Sequence, residues 1–164
     1  MLLEILRHGT VALAACALLG AAYCDIRTYQ IPDGFALAIA GAFIAAALGG
    51  SLGEAVAALA IAAAVFAAGV AMFARKWLGG GDVKLLAATA LWVSPALLAP
   101  FTVVVSFTGA LLGIAMLTPL RRRMPPPPAA LLGDAAAGAL RQPMPFAVAI
   151  AAGGLFALLS RLAR

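Results

Sequence analysis

The chain has 164 residues, of which 65% are apolar and only 10% are charged, with a mean hydropathy of +1.10. A soluble domain carries about 25% charged residues, so this composition excludes a soluble globular protein and implies a polytopic membrane protein. The net charge of +5 is no nucleic-acid signature, because the basic residues fall between apolar runs rather than in an aromatic-interleaved patch; there they act as topology determinants.

Apolar runs of about 20 residues read as membrane spans. The first covers residues 9–24, with residues 1–6 lying beyond Arg7 and His8, the latter expected to be solvated or interfacial, and it contains both cysteines, Cys16 and Cys24, which are expected to be small buried residues. Leu13-Ala14-Ala15-Cys16 resembles a lipoprotein cleavage box. The apolar run before it starts only at Gly9 and continues beyond it to Cys24, so the segment is read as a span and not as a cleaved signal. The second run is 34–50 and the third 55–74.

Residues 85–120 hold no charge over 36 positions. As one helix they would extend about 54 Å, against a hydrocarbon core of about 30 Å, so the segment must fold back. Ser94-Pro95 and Pro100 are expected to break it, giving a short fourth span at 85–93 and a fifth at 101–120. Residues 121–142 form a linker whose Met124-Pro125-Pro126-Pro127-Pro128 favours extended polyproline, and residues 129–140, with Asp134, suit a membrane surface. The sixth span is 143–160. Trp77 and Trp92 fit interfacial anchors. The expectation is an all-α membrane bundle of six spans, forming one domain over 1–164.

Eight Lys and Arg residues (Arg27, Arg75, Lys76, Lys84, Arg121, Arg122, Arg123 and Arg141) fall in the first, third and fifth loops, and three (Arg7, Arg161 and Arg164) on the other side. The positive-inside rule places the first set in the cytoplasm, with both termini outside. Asp25, just after the first apolar run, and Asp82, just before the fourth, then share the cytoplasmic end.

Only six residues are acidic, and an acid at a hydrocarbon boundary costs free energy, which makes it a functional candidate. Taken singly, Asp25 could pair with Arg27 or cap a helix, and Asp82 could be the N-cap of the fourth span. Together they suggest a carboxylate pair. Two adjacent carboxylates share one proton, so such a pair can activate water and protonate a leaving amine without metal or cofactor. Gly79-Gly80-Gly81 before Asp82 would let backbone approach closely or adopt positive φ and admit an extended substrate. Asp33, after Pro32, is expected to cap the second span. Lys84, two residues beyond Asp82, should leave that residue's face of the helix and meet lipid phosphate or an acidic substrate residue. No CxxC and no set of metal-ligand spacing occurs.

Three segments together resemble the type IV prepilin peptidases, membrane aspartic proteases of the GxGD kind. They are Asp25 with Ile31-Pro32-Asp33, Gly79-Gly80-Gly81-Asp82-Val83-Lys84-Leu85-Leu86, and Pro143-Met144-Pro145-Phe146-Ala147-Val148-Ala149-Ile150-Ala151. The short length and the last segment look most like the small enzymes of tight-adherence (Flp) pili. The resemblance implies that Asp25 and Asp82 are the catalytic pair, with Gly79, Gly81, Lys84, Pro32, Asp33, Pro145 and Phe146 supporting the substrate loops. It implies prepilin or pseudopilin substrates cleaved between a basic leader and a hydrophobic helix, at the cytoplasmic face of the bacterial inner membrane, in contact with lipid and with no nucleic acid. Larger members carry an N-terminal cysteine-paired region associated with N-methylation. Nothing here matches it, so methyltransferase activity is expected to be absent.

The rival class is a proton-coupled transporter or channel, which predicts acids near mid-membrane and repeated halves; both acids lie at one end and no inverted repeat is visible. A second rival is an intramembrane protease of the presenilin type, whose acids lie in adjacent spans.

Overall fold

In the computed structural model, residues 1–119 and 144–163 are described. The expectations for the linker at 121–142, including Asp134, fall outside them. The described residues form six α-helices: α1 (Leu2–Thr28), α2 (Asp33–Ala47), α3 (Leu52–Ala74), α4 (Gly80–Ala90), α5 (Leu98–Met116) and α6 (Ala147–Leu162). A 3-10 turn, Pro95–Leu97, joins α4 to α5. Three stretches are long and apolar enough to cross a membrane, Glu4–Thr28, Leu52–Ala74 and Pro95–Met116, and α2 and α6 are shorter apolar helices. The architecture is the expected all-α membrane bundle.

The break in the long uncharged run comes where Ser94-Pro95 place it. Pro100 does not break the chain; it sits in the first turn of α5, where a missing N–H removes no intrahelical bond. With 11 residues, α4 rises only about 16 Å. It is instead held inside the bundle, with Val83, Leu85, Ala88, Thr89 and Ala90 buried.

Among the buried residues of α1, Val11, Ala14, Leu18, Ala21 and Asp25 recur every three or four positions, with Thr10, Ala17 and Ala22 beside them, so they form one stripe along the helix. The stripe packs on α2 and α6, while α4 contacts α2, α3 and α6, and α5 packs on α6. Small residues bring these helices together, as membrane interfaces require. A Cβ on Gly20 of α1 would meet the ring of Phe35 at 2.6 Å, and one on Gly69 of α3 would meet Val83 at 2.9 Å. In α6, a Cβ on Gly154 would meet Leu18 at 2.6 Å and Thr89 at 2.7 Å, and one on Gly153 would run into Val105. This glycine pair therefore lets α6 sit between α1, α4 and α5.

Three residues are placed differently from expectation. Trp92 is no interfacial anchor: it is 1% exposed, its indole N–H donates to the Ile39 carbonyl at 3.2 Å, and it meets the Phe43 ring edge-on at 5.8 Å between centroids. The turn after α4 carries it inward, whereas Trp77 stays on the surface beside Arg75. Cys16 is exposed and Cys24 half-buried, because both lie off the buried stripe of α1.

The tight seat of α6 yields a prediction. Gly154→Ala is expected to destabilise the detergent-solubilised protein by about 1–3 kcal/mol, the usual cost of overpacking. Gly41→Ala, where a Cβ meets nothing within 4 Å, is expected to leave stability unchanged or raise it by up to about 1 kcal/mol. Unfolding midpoints of the two variants against the parent protein check this; equal midpoints for Gly154→Ala and the parent would refute the packing argument.

Candidate functional site

Asp25 ends the buried stripe of α1, one turn before the helix stops at Tyr29, whose φ of 53° lies in the left-handed region. Its side chain is carried into the bundle, where the residue is 4% exposed. An isolated carboxylate there would be costly. It is satisfied by the backbone N–H of Ala147, which donates to Asp25 Oδ2 at 2.9 Å. Ala147 is the first residue of α6, so its N–H has no intrahelical acceptor and belongs to the positive end of the helix. Asp25 thus caps a helix distant in the sequence rather than pairing with Arg27, which instead stacks over the Tyr23 ring at 5.4 Å.

Asp82 approaches from the opposite chain direction. It is not the N-cap of α4; Gly79 is, and Asp82 sits three residues later, in the first turn. From there its Oδ2 accepts the Gly79 N–H at 3.2 Å. The other oxygen, Oδ1, is buried with no partner among the described residues. The two acids interact electrostatically: burial first, and the nearby Asp25 charge second, raise the Asp82 carboxyl above the ordinary carboxylate range, against the lowering effect of the Gly79 N–H. The end of α1 and the start of α4 therefore bring Asp25 and Asp82 to one end of the bundle.

The three glycines have three different surroundings. None has positive φ, so close approach is the reason for them, and the expected conformational role is absent. A Cβ on Gly79 would lie 2.8 Å from Asp82 Oδ2, the oxygen that bonds the Gly79 N–H. One on Gly81 would lie 3.2 Å from Cβ of Ile31 and 3.6 Å from its carbonyl oxygen, in the link between α1 and α2. One on Gly80 would meet only the Phe73 ring at 3.5 Å, an ordinary contact. The spacing Gly-x-Gly-Asp thus follows from packing: the first glycine makes room for the carboxylate and the third for the neighbouring link.

The remaining candidates lie around this pair. Pro32, not Asp33, is the N-cap of α2, because the Phe35 N–H already reaches the Pro32 carbonyl at 3.2 Å. Asp33 is left free to turn toward α4 and takes Lys84: Nζ lies 2.8 Å from both carboxylate oxygens. Lys84 does leave the face of Asp82, as its position predicts, but its partner is an acid of this same chain. The two side chains are 53% and 61% exposed, so the pair adds only about 0–1 kcal/mol. Pro145 is fully buried, and the Phe146 ring fills the space over Gly109; together they fix the residue that follows, Ala147. That residue is the one sequence reasoning did not single out, since its contribution is a main-chain N–H.

The family model of the type IV leader peptidase family matches residues 12–114, more than half of the chain and including both Asp25 and Asp82. No curated protein and no solved structure matches the chain significantly.

Two predictions follow from this geometry. A carboxyl whose folded-state pKa is raised keeps its proton where the unfolded chain has lost it, so stability falls as pH rises through the folded value. Asn is neutral throughout and can still accept the Gly79 N–H. Asp82→Asn is therefore expected to unfold at a higher temperature than the parent at pH 8, with the gap closing toward pH 4; a pH-independent gap would contradict it. In the glycine run, Gly80→Ala is expected to fold and act normally, whereas Gly79→Ala and Gly81→Val are expected to lose at least about tenfold in activity if the acid is displaced by even 1 Å. Equal activity across the three variants would remove the packing reading.

Proposed function

The chain belongs to the type IV leader peptidase family, and on that premise we propose that it is a membrane-embedded prepilin peptidase in which Asp25 and Asp82 are the catalytic pair. The observation that carries this reading is the meeting of two inward-turned carboxyls at one end of a helix bundle, one held by the α6 N-terminus and the other by the glycine turn. No other titratable pair among the described residues combines proximity with burial: the Asp33–Lys84 pair is open to solvent.

Two carboxyls in this arrangement hold one proton between them. The carboxylate takes a proton from a water as its oxygen attacks the scissile carbonyl, and the protonated partner donates to the carbonyl oxygen. Collapse of the tetrahedral intermediate breaks the C–N bond, and the amine leaves with a proton returned by the pair. Asp82 Oδ1 has no protein partner among the described residues, which leaves this oxygen uncommitted for the proton transfers of the mechanism.

The finer assignments rest on the sequence. The excess of Lys and Arg in the loops at the acid-bearing end supports a cytoplasmic face and an inner-membrane location. The Pro-Phe-Ala-Val-Ala-Ile-Ala segment supports a small Flp-type enzyme acting on prepilins or pseudopilins with a basic leader. Both cysteines lie in α1, separated by two helical turns, which supports cleavage by this chain without N-methylation.

Co-expression with the prepilin of the same genome tests the proposal, with leader removal followed by gel shift and N-terminal sequencing. Asp25→Asn and Asp82→Asn are each expected to lower cleavage by at least about 10²-fold, the usual contribution of a positioned acid or base, while still inserting in the membrane. Chelator is expected to leave cleavage unchanged, and mass spectrometry to find a free amine at the new N-terminus. Normal processing by either variant removes that residue from the mechanism.

A further inference from the structure

At the end of the bundle opposite the two acids, a cavity of about 510 Å³ lies between the start of α1, the start of α3, the link from α4 to α5 and the end of α6. Its walls mix charges of both signs with small apolar groups: Arg7, Arg161 and Glu54, Ser94, and the apolar Ala57 and Leu97. The cations are anchored. Arg161 Nε donates to the Trp92 carbonyl at 3.0 Å, and its guanidinium lies over the rings of Trp92 at 5.6 Å and Phe43 at 5.9 Å. The Arg7 guanidinium in turn donates to the Arg161 carbonyl.

Glu54 lines the same space and, among the described residues, forms no ion pair with Arg7 or Arg161. The acid and the two guanidiniums thus face a shared cavity without closing on each other. Ser94 adds an independent sign. It is the N-cap of the 3-10 turn, a position where a serine ordinarily bonds a backbone N–H, but it makes no such bond. Its Oγ is buried without a partner among the described residues, and a hydroxyl is both donor and acceptor about one freely turning torsion.

Opposite charges held apart around one cavity suit a ligand that carries both. We propose that the cavity binds the zwitterionic head group of an aminophospholipid, with its phosphate on Arg7 and Arg161, the Ser94 hydroxyl supporting it, and its ammonium on Glu54. Guanidinium–phosphate bonds are charge-assisted and strong. The occupant is a lipid rather than a soluble zwitterion because the helix carrying Glu54 presents Leu52, Val56 and Leu59 outward, and that carrying Arg7 presents Ile5 and Leu6. Acyl chains leaving the cavity would meet these side chains. The site is independent of Asp25 and Asp82 and does not rest on peptidase activity.

The test uses the full chain in nanodiscs of equal phosphatidylethanolamine and phosphatidylglycerol. Native mass spectrometry then reads the lipids retained after stepwise delipidation. The parent protein is expected to keep phosphatidylethanolamine preferentially. Arg7→Gln is expected to lower retention of both lipids about tenfold, the loss of one charge-assisted bond. Glu54→Gln is expected to abolish or invert the preference while total retention stays within about twofold of the parent; the bond from the Glu54 main-chain N–H to the Ser51 hydroxyl is untouched by that change, so this arm decides the question if Arg7→Gln does not fold. Equal retention of the two lipids by the parent, or an unchanged preference in Glu54→Gln, overturns the proposal. Displacement of bound lipid by phosphoethanolamine lacking acyl chains, at equal concentration, overturns the lipid assignment in favour of a soluble zwitterion.

Discussion

The bond from the Ala147 N–H to the Asp25 carboxylate joins positions far apart in the chain, and the rest of the bundle is arranged around it. A carboxyl at the end of an otherwise apolar helix stripe has no water to solvate it and must find a donor inside the protein. The exposed main-chain amides at the start of a helix are the nearest donors a bundle of apolar sequence can offer. Once α6 supplies them, its N-terminus is fixed at the C-terminal end of α1, and α6 runs back along that helix. Gly153 and Gly154 then become necessary, because this path presses α6 against Leu18, Thr89 and Val105. The polar requirement at one point thus selects the apolar packing along the whole helix.

The same constraint explains why the site is assembled from ends of helices. Asp25 closes α1, Asp82 opens α4, and Ala147 opens α6. Helix ends are where backbone donors are unspent, so each acid can be carried inward and still be bonded: one by the first N–H of α6, the other by the Gly79 N–H of its own turn. Neither bond uses a cationic side chain. A salt bridge would hold both carboxylates ionised, whereas neutral amides are compatible with the shared proton that the proposed mechanism requires. The cation that is present nearby, Lys84, is drawn outward by Asp33, which keeps its charge off the pair.

Much of this was legible from the residue pattern, for identifiable reasons. The helices follow from the lengths of apolar runs, and Asp25 and Asp82 stand out because ionisable residues at such boundaries are rare. The turn at Ser94-Pro95 was legible because proline acts locally. Pro100 misled because a proline's effect depends on its distance from the helix start, and the 3-10 turn set that start two residues earlier. Asp33 was expected as an N-cap, and for Asp82 the cap was one of two open readings; each lies inside the first turn instead, since Pro32 and Gly79 take the cap position and side-chain chemistry alone does not fix the frame. Trp92 and the pairing of Lys84 with Asp33 depend on which helices become neighbours. That is tertiary information which no local window contains, and so is the contribution of Ala147, whose side chain carries no polar atom.

The glycine motif shows how a sequence pattern can encode a distance. Gly79 and Gly81 are small for unrelated reasons, one because a carboxylate oxygen sits 2.8 Å from where its Cβ would be, the other because Ile31 crosses at 3.2 Å. The first of these is a property of Asp82 itself: as it reaches back to the Gly79 N–H, its Oδ2 takes the space that a side chain on the cap would fill. The second couples the turn to the link after α1, the same link that begins once α1 has delivered Asp25. Glycine at 79 therefore makes room for the Asp82 carboxylate, and glycine at 81 ties the turn that carries Asp82 to the link that follows Asp25.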